Sequence, residues 1–222
     1  MQQTPAHFSH NQDLLDLVPK TAIKIVEVGC STGALAKAYK EINPECHYLG
    51  IEIDPDYALE ANNICDDCVI GDIEGFDSEF WTSNSDRDCW IFGDCLEHLR
   101  DPWLILSQIR KIMPQDGCVV ACIPNAQHWS VQLRINAGEF RYEDSGLFDR
   151  THLRWFTRQT IIELFQQTGF QITEGKSRVF EEINRDRFIP LLGQLARESG
   201  ADPEAAMRDA TPLQFVIKAN PI

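Results

Sequence analysis

The hydrophobic pattern of the chain alternates between two periods. Residues 22–28 (Ala-Ile-Lys-Ile-Val-Glu-Val) are a short β-branched run between turn formers and predict a buried strand. Directly after it Ala34, Leu35, Ala38, Tyr39 and Ile42 recur at helical spacing. A second strand is predicted from His47 to Ile53. It ends in Asp54-Pro55, a cap followed by proline at the first helical position, and that helix runs to about Ile64. A third strand spans 68–71, and a polar stretch carrying Phe76, Phe80 and Trp81 leads to a fourth at 89–92. Asp101-Pro102 starts the next helix, with Leu104, Ile105, Ile109 and Ile112 on its apolar face, and a fifth strand follows at 118–123. Strands alternating with helices of this length require a parallel sheet covered on both faces, and right-handed crossovers make it a doubly wound α/β sandwich.

From 125 to 158 the alternation breaks in a segment rich in Arg, Asn, Phe and Tyr, read as an insert on the acceptor side of the site. Beyond it the pattern predicts a helix at 157–168, strands at 170–173 and 213–219, and helical stretches at 189–199 and 203–208. The whole is expected to be one domain, 1–222, with a helical or lid-like segment at 1–21.

The candidate chemistry sits at the carboxyl ends of the early strands, where ligands bind in open α/β sheets. Glu27-Val-Gly29-Cys-Ser-Thr-Gly33 joins the first strand to the first helix, and its glycines allow the backbone to turn tightly against a ligand. Glu52 ends the second strand, where its carboxylate can accept from ribose hydroxyls and is expected to be exposed in the empty pocket. Asp72 follows the third strand and is placed to meet the exocyclic amine of an adenine. An NAD(P)-dependent oxidoreductase is the competing enzyme. Against it, the third glycine of G-x-G-x-x-G is missing, and Glu27 would repel a pyrophosphate. A third reading is a cofactor-binding partner subunit without turnover.

The motif Val-Glu-Val-Gly-Cys-Ser-Thr-Gly-Ala-Leu resembles motif I of class I S-adenosylmethionine-dependent methyltransferases. Gly50-Ile-Glu-Ile-Asp-Pro and Gly71-Asp-Ile-Glu resemble their ribose and adenine motifs. Asp94-Cys-Leu-Glu-His-Leu-Arg-Asp-Pro resembles the LEH motif IV of the branch that includes ubiquinone-biosynthesis O-methyltransferases and bacterial sugar and secondary-metabolite enzymes. Ile123-Pro-Asn, Phe148-Asp-Arg-Thr-His-Leu-Arg-Trp-Phe-Thr and Leu213-Gln-Phe-Val-Ile-Lys-Ala resemble the same branch, so the likeness covers about residues 11 to 219. Position 52 departs from the commoner Asp. The resemblance implies a Rossmann-like seven-stranded sheet of order 3-2-1-4-5-7-6 with the last strand antiparallel. It implies S-adenosyl-L-methionine as cofactor, held by Glu27, Gly29, Cys30, Ser31, Gly33, Glu52, Ile53, Asp72, Ile73 and Asp94. Glu27 and Asp94 suit the ammonium and sulfonium charges.

Methyl transfer is an in-line displacement at an activated carbon, so alignment and exclusion of water come first, and a hydroxyl acceptor gains from a positioned base. His98, His128 and His152 are the candidates, each with a structural alternative; for His152, anchoring the insert is favoured. Arg134, Arg141 and Arg150 could grip an anionic substrate, but pairing with Glu139, Glu143, Asp144 and Asp149 is preferred. The spacing of Asp94, Asn125 and Asp149 is not diagnostic of a cation, and no metal is expected.

Composition narrows the partners. The chain has 222 residues and a formal charge of −14, which disfavours nucleic acid; the expected acceptor is a small molecule, and a homodimer is left open. No apolar run approaches the ~20 residues of a bilayer span, and the start MQQTPAHFSHNQ lacks a signal-peptide pattern, so no membrane partner and a cytoplasmic location are expected. The eight cysteines are expected to be free thiols, several acting as small buried hydrophobes, and Cys65-Asp-Asp-Cys68 is an isolated CxxC.

Overall fold

A computed structural model describes residues 8–222. Its strands are β1 (Lys24–Val28), β2 (His47–Glu52), β3 (Asp67–Ile70), β4 (Cys89–Gly93), β5 (Cys118–Pro124), β6 (Phe170–Arg178) and β7 (Gln214–Pro221). They form one sheet in the order β3-β2-β1-β4-β5-β7-β6. The pairs among β3, β2, β1, β4 and β5 are parallel, and β7 runs antiparallel to both β5 and β6. The expected topology is therefore the observed one.

The helices are α1 (Gln12–Leu17), α2 (Ala34–Ile42), α3 (Pro55–Ala61), α4 (Ser78–Ser83), α5 (Pro102–Ile112), α6 (Trp129–Asn136), α7 (Arg158–Gln167), α8 (Arg185–Glu198) and α9 (Pro203–Asp209). Side-chain chemistry sets several of their starts. The Asp54 carboxylate accepts the Asp56 and Tyr57 amides ahead of α3, Asp101 accepts Leu104 N–H ahead of α5, and Thr157 forms a capping box with Thr160 ahead of α7.

Alternation along the strands divides the core in two. Val26, Val28, Trp90, Phe92, Val119 and Ala121 face one layer with Trp81, Ile105, Ile109, Leu164 and Phe165. Ile25, Tyr48, Ile91 and Val120 face the other with Leu14, Leu35, Ala36 and Tyr39. Cys30, Cys46, Cys65, Cys89, Cys118 and Cys122 are all buried on this second side, so six of the eight thiols do behave as small hydrophobes.

The departures from the sequence pattern have physical causes. β6 runs to Arg178 rather than 173 because it is an edge strand with mostly exposed side chains, and its later residues are held by backbone pairing to β7. α4 begins where the Asp77 carboxylate accepts from Glu79 and Phe80, within the stretch read as polar connection. α6 lies inside the segment read as irregular. The helical expectation for 1–21 is met by α1, while residues 1–7 lie outside the described residues. No helix among the described residues is long and apolar enough to cross a membrane.

Candidate functional site

The turn after β1 is built by backbone. Gly29 and Cys30 donate their amides to the Ile51 carbonyl at 2.8 and 3.1 Å, and Gly33 donates to Cys30 at 2.9 Å. Gly29 and Gly33 have φ of +74° and +80°, the left-handed region where glycine is unstrained. Ser31 also sits there at +48°, a conformation that side chains other than glycine's seldom adopt. Its conformation is held from outside the loop: Ser31 N–H donates to Glu52 Oε2 at 2.8 Å, while Ile53 and Asp54 N–H donate to Oε1 at 2.8 and 2.9 Å.

Glu52 is thus 5% exposed, not open to solvent as the sequence reading expects. A carboxylate at a strand end gathers nearby amides, which fix it in place; only the folded loop brings the Ser31 amide to it. Ile53 beside it is half exposed.

Asp72 caps the 3₁₀ turn 73–75, accepting from Glu74 N–H at 2.9 Å, and its Oδ2 pairs with Arg100 at 2.7 Å. This exposed ion pair is worth at most ~1 kcal/mol, so an adenine amine can displace or share it. Ile73 beside Asp72 is buried.

Glu27 occupies the second core layer, where the Tyr48 hydroxyl donates to its Oε2 at 2.8 Å. Burial, with the Glu52 charge nearby, pushes its carboxyl up to about 8, despite the Tyr48 bond. In the empty protein Glu27 is therefore neutral at pH 7. Asp94 follows β4 with φ +52°; its amide donates to Cys122 O at 3.1 Å, and Gln214 Nε2 donates to its Oδ1. A Cβ on Gly93 would meet Leu14 of α1 at 3.0 Å, so the N-terminal helix closes over this edge.

On the acceptor side the structure brings His98 and His152 together, edge to face with ring centroids 4.8 Å apart. His98 Nδ1 lies 3.2 Å from the Thr151 carbonyl, which can only accept, so Nδ1 carries the proton and Nε2 keeps its lone pair. The Thr151 hydroxyl lies 3.0 Å from the same nitrogen and donates to Asp149 Oδ1 at 2.6 Å. Burial holds the His98 imidazole below its ordinary range, and burial with the neighbouring His98 pushes His152 down to about 4. Both rings are neutral at pH 7. His152 also packs on Trp155, with ring centroids 6.2 Å apart.

Glu97 completes this cluster and was quoted in the motif without a role. It is 1% exposed, its Oε1 lies 3.9 Å from His152 Nε2, and its Oε2 has no hydrogen-bond partner among the described residues. Burial, then Asp94, holds its carboxyl well above the usual range. One ligand atom each from Glu97, His98 and His152 lies within 4.8 Å of the others, so these three could hold a metal ion. The signal in the sequence was the Glu97-His98 pair, but its partner lies more than fifty residues away. Asn125 cannot join it: its amide donates to the Asp209 and Pro212 carbonyls and its Oδ1 accepts from Gln127.

His128 is placed otherwise. It is fully enclosed, with Nδ1 2.8 Å from Ser130 Oγ and Nε2 3.1 Å from Glu182 Oε2, which also accepts Trp129 Nε1–H at 2.8 Å. Both ring nitrogens are engaged, as in an anchor between α6 and the segment before α8. Two of the three arginines take the preferred pairings: Arg134 with Glu143 at 2.6 Å, its guanidinium 3.8 Å over the Phe148 ring, and Arg150 with Asp144 at 2.6 Å.

A family model described as a methyltransferase domain matches residues 6–174. A search of curated proteins finds no sequence match. Among solved structures, a S-adenosylmethionine-dependent methyltransferase from Archaeoglobus fulgidus is 18% identical with TM-score 0.61, over 90% of this chain and 87% of that one. One from Listeria monocytogenes is 13% identical with TM-score 0.62, over 95% and 97%. Magnesium protoporphyrin IX methyltransferase from Synechocystis PCC 6803, solved with bound S-adenosylhomocysteine, is 11% identical with TM-score 0.60, over 95% and 80%. These likenesses concern the fold, while the family model spans most of the chain: the protein belongs to the methyltransferase-domain family.

Proposed function

We propose that the chain transfers a methyl group from S-adenosylmethionine to a hydroxyl of a small molecule, of the sugar or secondary-metabolite class, with His98 as the base. The observation that carries this reading is the fixed tautomer of His98. Its Nδ1–H is committed to Thr151, and a neutral Nε2 lone pair remains beside motif IV. In the reaction the acceptor oxygen attacks the methyl carbon, the carbon–sulfur bond breaks to leave S-adenosylhomocysteine, and the hydroxyl proton passes to Nε2. Glu27, Gly29, Cys30, Ser31, Gly33, Glu52, Ile53, Asp72, Ile73 and Asp94 hold the cofactor, and residues 125–158 cover the acceptor. His128 and His152 serve as anchors. The test is thermal: S-adenosylhomocysteine should raise the melting temperature and NAD should not. A shift with NAD alone overturns the reading.

The orphaned Glu97 Oε2 favours a second reading of the same chemistry. A divalent cation on Glu97, His98 and His152 would lower the acceptor hydroxyl's pKa in place of a base. The Thr151 carbonyl beside His98 Nδ1 would then act as the outer partner that fixes a metal-ligating histidine. Chelator-treated protein that keeps full turnover excludes this reading; turnover restored by added Mn²⁺ or Zn²⁺ but lost in Glu97→Gln selects it.

A further inference from the structure

The isolated CxxC acquires a third thiol in the folded chain. β2 carries glycine at position 50, and a Cβ there would lie 2.7 Å from Cys30 Sγ and 3.2 Å from Cys65 Sγ, so both sulfurs crowd the space above this one residue. Gly50 pairs with Cys68 in the parallel β2–β3 ladder, and paired residues of adjacent strands point to the same face. Cys30, from the turn after β1, therefore meets Cys65 and Cys68 across β2. The three have unequal access: Cys30 and Cys65 are buried, and Cys68 is half-buried on the β3 side of the sheet.

We propose that Cys68 and Cys30 form a reversible oxidative modification site that controls the cofactor loop, an inference that rests on the assignment of that loop to S-adenosylmethionine. The geometry divides the roles. Cys68 is the one of the three that an oxidant can reach. The neighbouring Cys30 thiol holds the Cys68 thiol below its ordinary range and gives it thiolate character, while its thiol neighbours and burial hold Cys30 up. A hydroperoxide would take the Cys68 sulfur to the sulfenic acid, itself reduced to the alcohol or water. The Cys30 thiol would then displace water to give the Cys30–Cys68 disulfide, and an external dithiol would return both thiols while becoming a disulfide itself.

The consequence follows from where Cys30 lies. It is bracketed by Gly29 and Ser31, whose left-handed backbones make the turn, and the Ser31 amide is one of three held by Glu52. Drawing Cys30 toward β3 pulls on this amide and on the Cys30 N–H bond to Ile51, so the linked loop loses the shape that receives the cofactor. The fold offers an internal contrast. Cys89 and Cys118 are also paired, with sulfurs 3.7 Å apart on neighbouring strands, but both are buried in the core. Accessibility, not proximity alone, selects the β3 site.

The experiment treats the full-length protein with hydrogen peroxide, maps disulfides by mass spectrometry without reduction, and titrates S-adenosylhomocysteine by calorimetry before oxidation, after it, and after dithiothreitol. The expected result is a Cys30–Cys68 peptide with affinity reduced about tenfold or more and restored by reductant, an effect large enough to read directly. Cys68→Ser should bind like the reduced wild type and keep that affinity in peroxide. A Cys30–Cys65 or Cys89–Cys118 bond in place of Cys30–Cys68, an equal loss in oxidised Cys68→Ser, or a linked form that binds as tightly as the reduced one overturns the proposal. Reduced protein that binds no S-adenosylhomocysteine instead overturns the cofactor assignment and with it the regulatory half, and the mapping still decides the bond.

Discussion

The side proposed to hold the cofactor, residues 24–94, and the side proposed to receive the acceptor, from 125 to 182 with the motif IV turn, are built on different principles. On the first, each functional group stands at the end of a strand and is fixed largely by backbone: the Gly29–Gly33 turn hangs on Ile51 O, and Glu52 holds Ser31, Ile53 and Asp54 N–H. On the second, side chains far apart in sequence hold one another: His98 with Thr151, Glu97 with His152, and His128 with Glu182. A site carried by backbone couples ligand binding to local folding, whereas a site of meeting side chains can lose its chemistry and keep its fold. Variants on the two sides should therefore separate affinity and stability from turnover.

The sharpest separation is expected at His98. Replacement by Ala should lower turnover about 10²–10⁴-fold, the usual contribution of a general base, with affinity for S-adenosylhomocysteine unchanged by calorimetry. A matching loss of affinity would mean that the two sides are one unit. Comparable turnover loss in His128→Ala or His152→Ala, with His98→Ala near wild type, would move the base.

Glu52→Ala should do the reverse. Loss of charge-assisted bonds should weaken cofactor binding by about 1–3 kcal/mol. Because Glu52 is buried and braces three amides, the melting temperature of the empty protein should also fall, by about 2–4 °C per kcal/mol lost. Unaltered melting with reduced affinity would show that the bracing is dispensable.

A smaller, pH-dependent effect is expected at Glu27. Its carboxyl titrates near 8 when folded against an ordinary 4.5, so between these values the unfolded chain has released a proton that the folded chain keeps. This group's contribution to stability must fall as pH rises from about 4.5 to about 8. Glu27→Gln removes the titration while leaving an acceptor for Tyr48, so melting curves of variant and wild type should diverge in the variant's favour across this window. Parallel curves would show that Glu27 is charged in the empty protein.

The least effect belongs to Arg150→Ala. The Arg150–Asp144 pair is exposed on both sides, and such pairs are worth about 0–1 kcal/mol, so melting should barely move. A large loss of turnover, read as a raised KM, would restore the anionic-substrate role that the pairing argues against.

The parallel α/β sandwich was legible in the alternation of strands and helices, whereas the strand order, with β7 antiparallel, was implied only by the motif resemblance. α4 and the second half of β6 were not legible, because a capping carboxylate and a neighbouring strand, rather than apolar periodicity, hold them, and α6 was not, because His128 and Trp129 at its start are held by the distant Glu182. The same division runs through the site. Gly29, Gly33 and Asp72 could be placed from sequence, since a left-handed turn or a strand end shows in residue type and position. The inward turn of Glu52 could not, because the amides that draw it in belong partly to another loop. Nor could the neutrality of Glu27, which is set by the layer of core that closes over it, the union of Glu97 and His98 with His152, or the meeting of Cys30 with Cys68 across Gly50. The sequence alone determined which groups stand at the strand ends; tertiary structure decided which of them touch and which keep their charge, because contact and desolvation depend on neighbours that only folding brings near.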